Sequence, residues 1–237
     1  MRFGIAVFPG TWSDRDCAHA VTLAGHEAVM LWHKDADLRG VDCVILPGGF
    51  AYGDYLRAGA VARFAPLMGS VGDFAAQGGL VWGICNGFQI LCEAHLLPGA
   101  LSRNKSLEFR CERSWLRVET ADSPFTSACG RGDVLEIPVS HGEGRYVADD
   151  ETLEGLEREH RVALRYVARD GSPAGDASPN GSMRDIAGIL SAQRNVFGMM
   201  PHPERACEPL LGSADGMKLI ASVAGRLAHD AEFAVAR

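Results

Sequence analysis

Apolar positions along the chain fall into short runs closed by turn residues, with helical spacing between them. Phe3 to Phe8 is a β-branched and aromatic run ended by Pro9-Gly10, as a strand would be. Ser13, with Asp16 three residues on, opens a pattern through Ala18, Val21 and Leu23-Ala24 that stops at Gly25. This predicts a capped helix with a glycine stop. Ala28 to Leu31 and Cys43 to Leu46 are further apolar runs, the second ending at Pro47-Gly48-Gly49, and both fit buried parallel strands. Val61 to Ala76 has helical spacing through Phe64, Ala65, Met68, Val71 and Ala75, and Leu80-Val81-Trp82 then runs straight into Gly83.

The second half changes character. Strand-like runs occur at Trp115 to Val118, Val134 to Val139, Val162 to Val167, Ile186 to Leu190 and Val196 to Met200. Helical spacing returns only after Asp215, where Met217, Leu219-Ile220, Val223-Ala224 and Leu227-Ala228 predict a terminal amphipathic helix. Residues 169 to 185 are dense in Gly, Ser, Pro, Asn and Asp, which predicts a surface loop between strands. Strands alternating with helices predict an α/β fold: a doubly wound, mostly parallel sheet flanked by helices, with extra antiparallel strands in the second half. No break in composition separates two cores, so residues 1–237 are read as one domain.

Composition narrows the partners. The chain has 237 residues, 47% of them hydrophobic and 22% charged, with 23 Lys+Arg against 30 Asp+Glu and a net charge of −7. Its mean hydropathy is −0.01. Without a cluster of basic residues, neither a nucleic-acid nor an anionic-membrane surface is expected. Seven scattered cysteines with no CxxC pair point to reduced thiols and a cytoplasmic setting. The apolar run at the N-terminus is too short for a signal peptide. Phe74 to Cys92 carries no charged residue over 19 positions, but Gly78-Gly79, Gln77, Asn86 and Gln89 interrupt it. It is read as a strand, a turn and a helix, and not as a membrane span.

Three motifs carry chemistry. Gly83-Ile84-Cys85-Asn86-Gly87 follows a strand and precedes a helical pattern, the form of a nucleophile elbow with cysteine in the place of serine. A cysteine there is exposed above the sheet and feels the positive end of the helix dipole. A small packed cysteine between glycines is the alternative. Pro201-His202-Pro203-Glu204 follows an apolar strand; prolines hold the backbone extended, so His202 and Glu204 project to one side and can pair. A carboxylate that orients a histidine is the general-base arrangement that activates a nucleophile, whereas a surface turn is the plain alternative. Pro47-Gly48-Gly49-Phe50 leaves a strand end with backbone N–H groups exposed. Those groups, with the N–H of Asn86, can form an oxyanion hole; a hinge is the other option. Neither G-x-x-x-x-G-K-[ST] nor a Rossmann G-x-G-x-x-G is present, so no nucleotide or other cofactor is expected in this chain.

Taken together, these residues supply nucleophile, oriented base and oxyanion donors at strand ends. The set resembles the triad (class I) glutamine amidotransferases, with Cys85, His202 and Glu204 in the family's chain order. Within that superfamily, the stretches 47–60, 86–89, 141–144, 179–182 and 200–205 resemble the glutaminase subunits of phosphoribosylformylglycinamidine synthase, and the resemblance as a whole runs over residues 4 to 205. The resemblance implies glutamine as substrate, Gly49 and Asn86 as backbone oxyanion donors, and Gln89, Phe50 and His141 around the substrate. It implies two partners, a large synthetase subunit carrying ATP and Mg and a small third subunit, with glutamine hydrolysis weak until docking. One departure is Trp12-Ser13, where the family has Asn-Cys, which touches a partner contact and not the triad. No metal is expected; Cys92, two helical turns beyond Cys85, has no histidine at ligand spacing and is read as core.

Rival readings differ in particular residues. An α/β-hydrolase places its acid before its histidine, whereas Glu204 follows His202. A redox sensor on the same sheet does not need the Pro-His-Pro-Glu unit or Gln89. By resemblance, the Tyr52-Gly53-Asp54-Tyr55-Leu56-Arg57 stretch argues against the glutaminase that feeds pyridoxal phosphate synthesis.

Overall fold

The computed structural model describes residues 1–175 and 178–235, with side chains through His229 in the last helix. Along the chain run β1 (Arg2–Val7), α1 (Asp14–Leu23), β2 (Glu27–Trp32), β3 (Cys43–Leu46), α2 (Pro66–Ala76), β4 (Leu80–Ile84), α3 (Asn86–Glu93), β5 (Ala100–Ser102), β6 (Arg110–Val118), β7 (Val134–His141), β8 (Arg145–Val147), α4 (Asp150–Arg158), β9 (Val162–Val167), β10 (Ile186–Leu190), β11 (Val196–Met199) and α5 (Gly216–Val235).

Nine strands form one sheet in the order β2-β1-β3-β4-β11-β10-β9-β6-β7. The first five are mutually parallel, and β10, β9, β6 and β7 extend the sheet antiparallel. The expected mostly parallel sheet with later antiparallel strands is therefore found. Every residue of β3, β4 and β11 is buried, as in parallel strands covered on both faces. β7 instead alternates buried and half-buried positions, the pattern of a strand with one wet face. Trp82 of β4 and its register partner Phe197 of β11 stack at 6.1 Å, with Phe125 at 6.3 Å from Trp82. Burial of side chains this size contributes about 2–3 kcal/mol each, so this aromatic cluster clamps the two strands that end at the candidate site.

Four expectations need correction. The helix expected from Val61 begins at Pro66, after a 3-10 turn at Ala62–Phe64. Proline is disfavoured inside a helix but suits its first turn. β6 extends back to Arg110, because its polar first half is held by pairing with β7 and not by burial. α4 stands where no helix was expected, although Asp149 caps it by accepting from the Thr152 N–H at 2.8 Å. Ser13, expected to cap α1, makes no such bond; its hydroxyl accepts from Arg205 Nη2 at 2.9 Å.

The 169–185 loop, of which 176–177 lie outside the described residues, is not wholly at the surface: Asn180 and Ser182 are buried. Phe74 to Cys92 forms the end of α2, a turn, β4 and most of α3. Among the described residues no helix is long and apolar enough to cross a membrane.

Candidate active site

Cys85 is the single residue between β4 and α3, with φ 51° and ψ −105°, a strained conformation for a residue other than glycine. The neighbouring glycines make the turn possible by close approach. A Cβ on Gly87 would lie 1.9 Å from the Leu46 carbonyl oxygen, and one on Gly83 would lie 2.5 Å from Leu91 Cδ1. Only a chain bare at both positions can bring α3 this close to β3 and β4. The Cys85 N–H donates to Met199 O at 2.8 Å, which ties the elbow to the end of β11. Its sulfur lies 3.7 Å from the Ser140 carbonyl oxygen.

His202 stands beyond the end of β11, the parallel neighbour of β4. The extended backbone expected across Pro201–Glu204 is instead a 3-10 turn at Pro203–Arg205, with Pro203 as its first residue. The pairing survives the change: His202 Nδ1 and Glu204 Oε1 are 2.6 Å apart, and both side chains are buried. The His202 N–H donates to Pro138 O at 2.8 Å, fixing this turn to β7. Arg205, next in line, lies 3.4 Å from Asp16 and so fixes the turn to α1 as well.

Burial alone would lower the His202 pKa, but the charges of Glu204 and Cys85 and the Glu204 hydrogen bond outweigh it and raise it to about 10. His202 therefore carries its proton at neutral pH. Its Nε2 has no close hydrogen-bond partner, so its coupling to the Cys85 sulfur acts through charge and a hydrogen bond of looser geometry. Such contacts often tighten only when substrate arrives. His141 behaves in the opposite way: burial, then the His202 charge, lowers its pKa to about 4 and keeps it neutral.

The glycine-rich loop after β3 lies against residues 10–13. Thr11 and Gly49 face each other in an antiparallel bridge whose hydrogen bonds come from their neighbours, Trp12 N–H to Gly48 O at 3.0 Å and Phe50 N–H to Gly10 O at 2.9 Å. The Gly49 N–H is thus not consumed by the bridge. Asn86 is the first residue of α3, where no carbonyl of the helix can accept its N–H. Its side chain latches the loop to the elbow, because Oδ1 accepts the Ala51 N–H at 3.0 Å and Nδ2 donates to Gln89 Oε1 at 2.8 Å.

Gly49, Phe50, Cys85, Gln89 and His141 all border one cavity of about 220 Å³. His141 is buried in its wall and not at its rim. Gln89 has both ends of its amide engaged, since its Nε2 donates to Glu143 O at 2.7 Å; it shapes the cavity as well as bordering it. Asp54, Glu143 and Phe109 also border the cavity, and sequence reading did not single them out. The signal for Asp54 was its place in the stretch after Gly48-Gly49. Asn180 braces the His141 wall from behind, its Nδ2 donating to Gly144 O at 2.9 Å and to Tyr166 Oη at 3.1 Å.

All seven cysteines are free. Cys92 is buried against Pro98 O, as expected of a core residue. Cys207 lies with His19 and Glu208, their ligand atoms within 4.8 Å of one another.

A cysteine at a strained elbow, a buried His–Glu pair that keeps its proton, and backbone N–H groups of the glycine-rich loop and of the first turn of α3 can carry out acyl transfer from an amide. Comparison with known proteins points the same way. Residues 1–220 match the family model of the CobB/CobQ-like glutamine amidotransferase domain. The chain is 59% identical over 223 residues to phosphoribosylformylglycinamidine synthase subunit PurQ of Rubrobacter xylanophilus, covering 94% of this chain and 97% of that protein. It is 54% identical over 224 residues to the subunit of the same name from Moorella thermoacetica, covering 94% and 95%. Among solved structures, PurLQS from Thermotoga maritima aligns with a TM-score of 0.85 at 44% identity, covering 95% of this chain and 98% of that one. A glutamine amidotransferase from Thermotoga maritima shares the fold, with a TM-score of 0.59 at 14% identity, covering 96% of this chain and 97% of that one.

Proposed function

Because the chain belongs to the CobB/CobQ-like glutamine amidotransferase domain family, we propose that it is the glutaminase subunit of phosphoribosylformylglycinamidine synthase. The observation that carries this reading is the 59% identity to a subunit of that name over nearly the full length of both chains. Cys85 attacks the side-chain amide carbon of glutamine as a thiolate. The developing oxyanion accepts from the backbone N–H groups of Gly49 and Asn86. The His202 imidazolium, held by Glu204, gives its proton to the departing ammonia, and a glutamyl thioester remains on Cys85. Water then attacks the thioester with His202 as base, which restores the imidazolium and releases glutamate and the Cys85 thiolate. Glutamine and water are consumed, and glutamate and ammonia are formed.

The ammonia passes to a large synthetase subunit. That subunit binds ATP and Mg and converts formylglycinamide ribonucleotide to formylglycinamidine ribonucleotide, and a small third subunit completes the complex. The exposed Phe50, Tyr55, Leu56 and Phe109, on the loops that border the cavity or run on from them, support docking at this face. The reading places the work in the cytoplasm, within a single amidotransferase domain with no cofactor of its own.

Peptide mapping after treatment with a glutamine analogue carrying a diazoketone tests this reading. The expected result is one adduct, on Cys85, suppressed by excess glutamine and absent from Cys85→Ser. Labelling spread over several cysteines and indifferent to glutamine, even with the synthetase subunit present, overturns it.

A further inference from the structure

The cavity beside Cys85 carries charge of one sign. Asp54, from the turn after the glycine-rich loop, and Glu143, from the turn after β7, border it, and no lysine or arginine does. Among the described residues neither carboxylate has an ion-pair partner. Asp54 accepts only from Asn86 Nδ2, at 3.3 Å. The arrangement is costly by itself. Asp54 sits at φ 54°, and burial together with repulsion from Glu143 pushes its pKa up to about 6. Acids crowded into a partly dry cavity are stabilised by a cation.

One chain of hydrogen bonds also ties the Asp54 carboxylate and the Glu143 backbone to the nucleophile. It runs from Asp54 to the Asn86 side chain, on to the Gln89 amide, and ends at the Glu143 carbonyl. Asn86 directly follows Cys85, so the Asp54 carboxylate and the backbone that carries Glu143 are held at a fixed offset from the sulfur. A substrate with an amide at one end and a cation at the other suits that layout.

We propose that Asp54 and Glu143 bind the α-ammonium group of glutamine and so select an α-amino acid amide over a simple carboxamide. This rests on the reading that the cavity accepts glutamine. The His141 imidazole, neutral in the same wall, does not compete for the carboxylates.

The test measures protection of Cys85 from alkylation by iodoacetamide. L-Glutamine is compared with 4-carbamoylbutanoate, which has the same amide and carboxylate but no ammonium. In the wild type, glutamine should protect at a concentration about tenfold or more lower, the size expected for a charge-assisted contact. Asp54→Asn and, separately, Glu143→Gln should reduce that ratio to about twofold, because neither variant can pair fully with the ammonium. A purely structural role for these acids raises both half-protection concentrations together and leaves the ratio intact, which overturns the proposal. A wild-type ratio near one overturns it also. If glutamine does not protect the wild type at all, the glutamine reading itself fails, and this outcome is distinct from a lost preference.

Discussion

Glu204 Oε1 lies 2.6 Å from His202 Nδ1, and scarcely any of either side chain is exposed. A charge placed so close in a dry site stabilises the imidazolium far more than it would in water. The raised His202 pKa follows, with Cys85 adding to it. The proton needed by the departing ammonia is therefore already in place before substrate arrives.

Glu204→Gln keeps the shape but removes the charge. Glutaminase activity of the assembled complex should fall about 10²-fold or more, as for other triads whose acid is neutralised. A raised histidine pKa stabilises the fold fully below its ordinary value of 6.5, and that contribution is lost as pH climbs toward about 10. Wild-type stability in urea should thus decline between pH 6.5 and 10 more steeply than that of Glu204→Gln. Equal slopes would refute the charge coupling.

Asp54→Asn should stabilise the protein while weakening glutamine binding. The folded state holds the Asp54 proton up to about pH 6 against an ordinary value of 3.8, so stability falls as pH rises through that window. Asparagine removes this penalty and tolerates positive φ. Because the group is only half-buried, solvent screening reduces the gain to about 1 kcal/mol at pH 7. Thermal melts should show the difference narrowing as pH falls from 7 toward 4.

Two glycines offer an opposed pair. Gly87→Ala drives a Cβ to 1.9 Å from the Leu46 oxygen and should destabilise by about 2–4 kcal/mol, with the elbow displaced and Cys85 less reactive. Gly72→Ala, in α2 with open space around the new methyl, should stabilise by about 0.5–1 kcal/mol. Urea denaturation midpoints read both signs.

Asn195 Nδ2 donates to Ala75 O at 2.7 Å and Gly79 O at 2.9 Å, closing the turn between α2 and β4. Asn195→Ala leaves those carbonyls without this donor and should cost about 1–3 kcal/mol in denaturant titration. Activity in the complex should change little, since the turn lies at the end of β4 away from Cys85.

The parallel strands, the elbow and the identity of the three residues proposed to act together were legible in the sequence. Their signals are local: continuous apolar runs where both strand faces are buried, and glycines where the backbone must pass closely. The sequence did not reveal the polar first half of β6, whose residues are held by hydrogen bonds to β7 and carry no apolar mark. The start of α2 and the helix α4 did have local signals, in Pro66 and in the Asp149 cap.

Which strands are neighbours emerges only in the folded chain. β4 and β11, over a hundred residues apart in sequence, pair in parallel with Trp82 beside Phe197, and this places His202 next to Cys85. So do the cavity that Asp54 and Glu143 share and the use of the Gln89 amide in shaping it. Contacts between distant segments depend on how a whole core packs. No local pattern records them, and the shifted pKa values of His141 and Asp54, with the share of Cys85 in that of His202, arise from that packing.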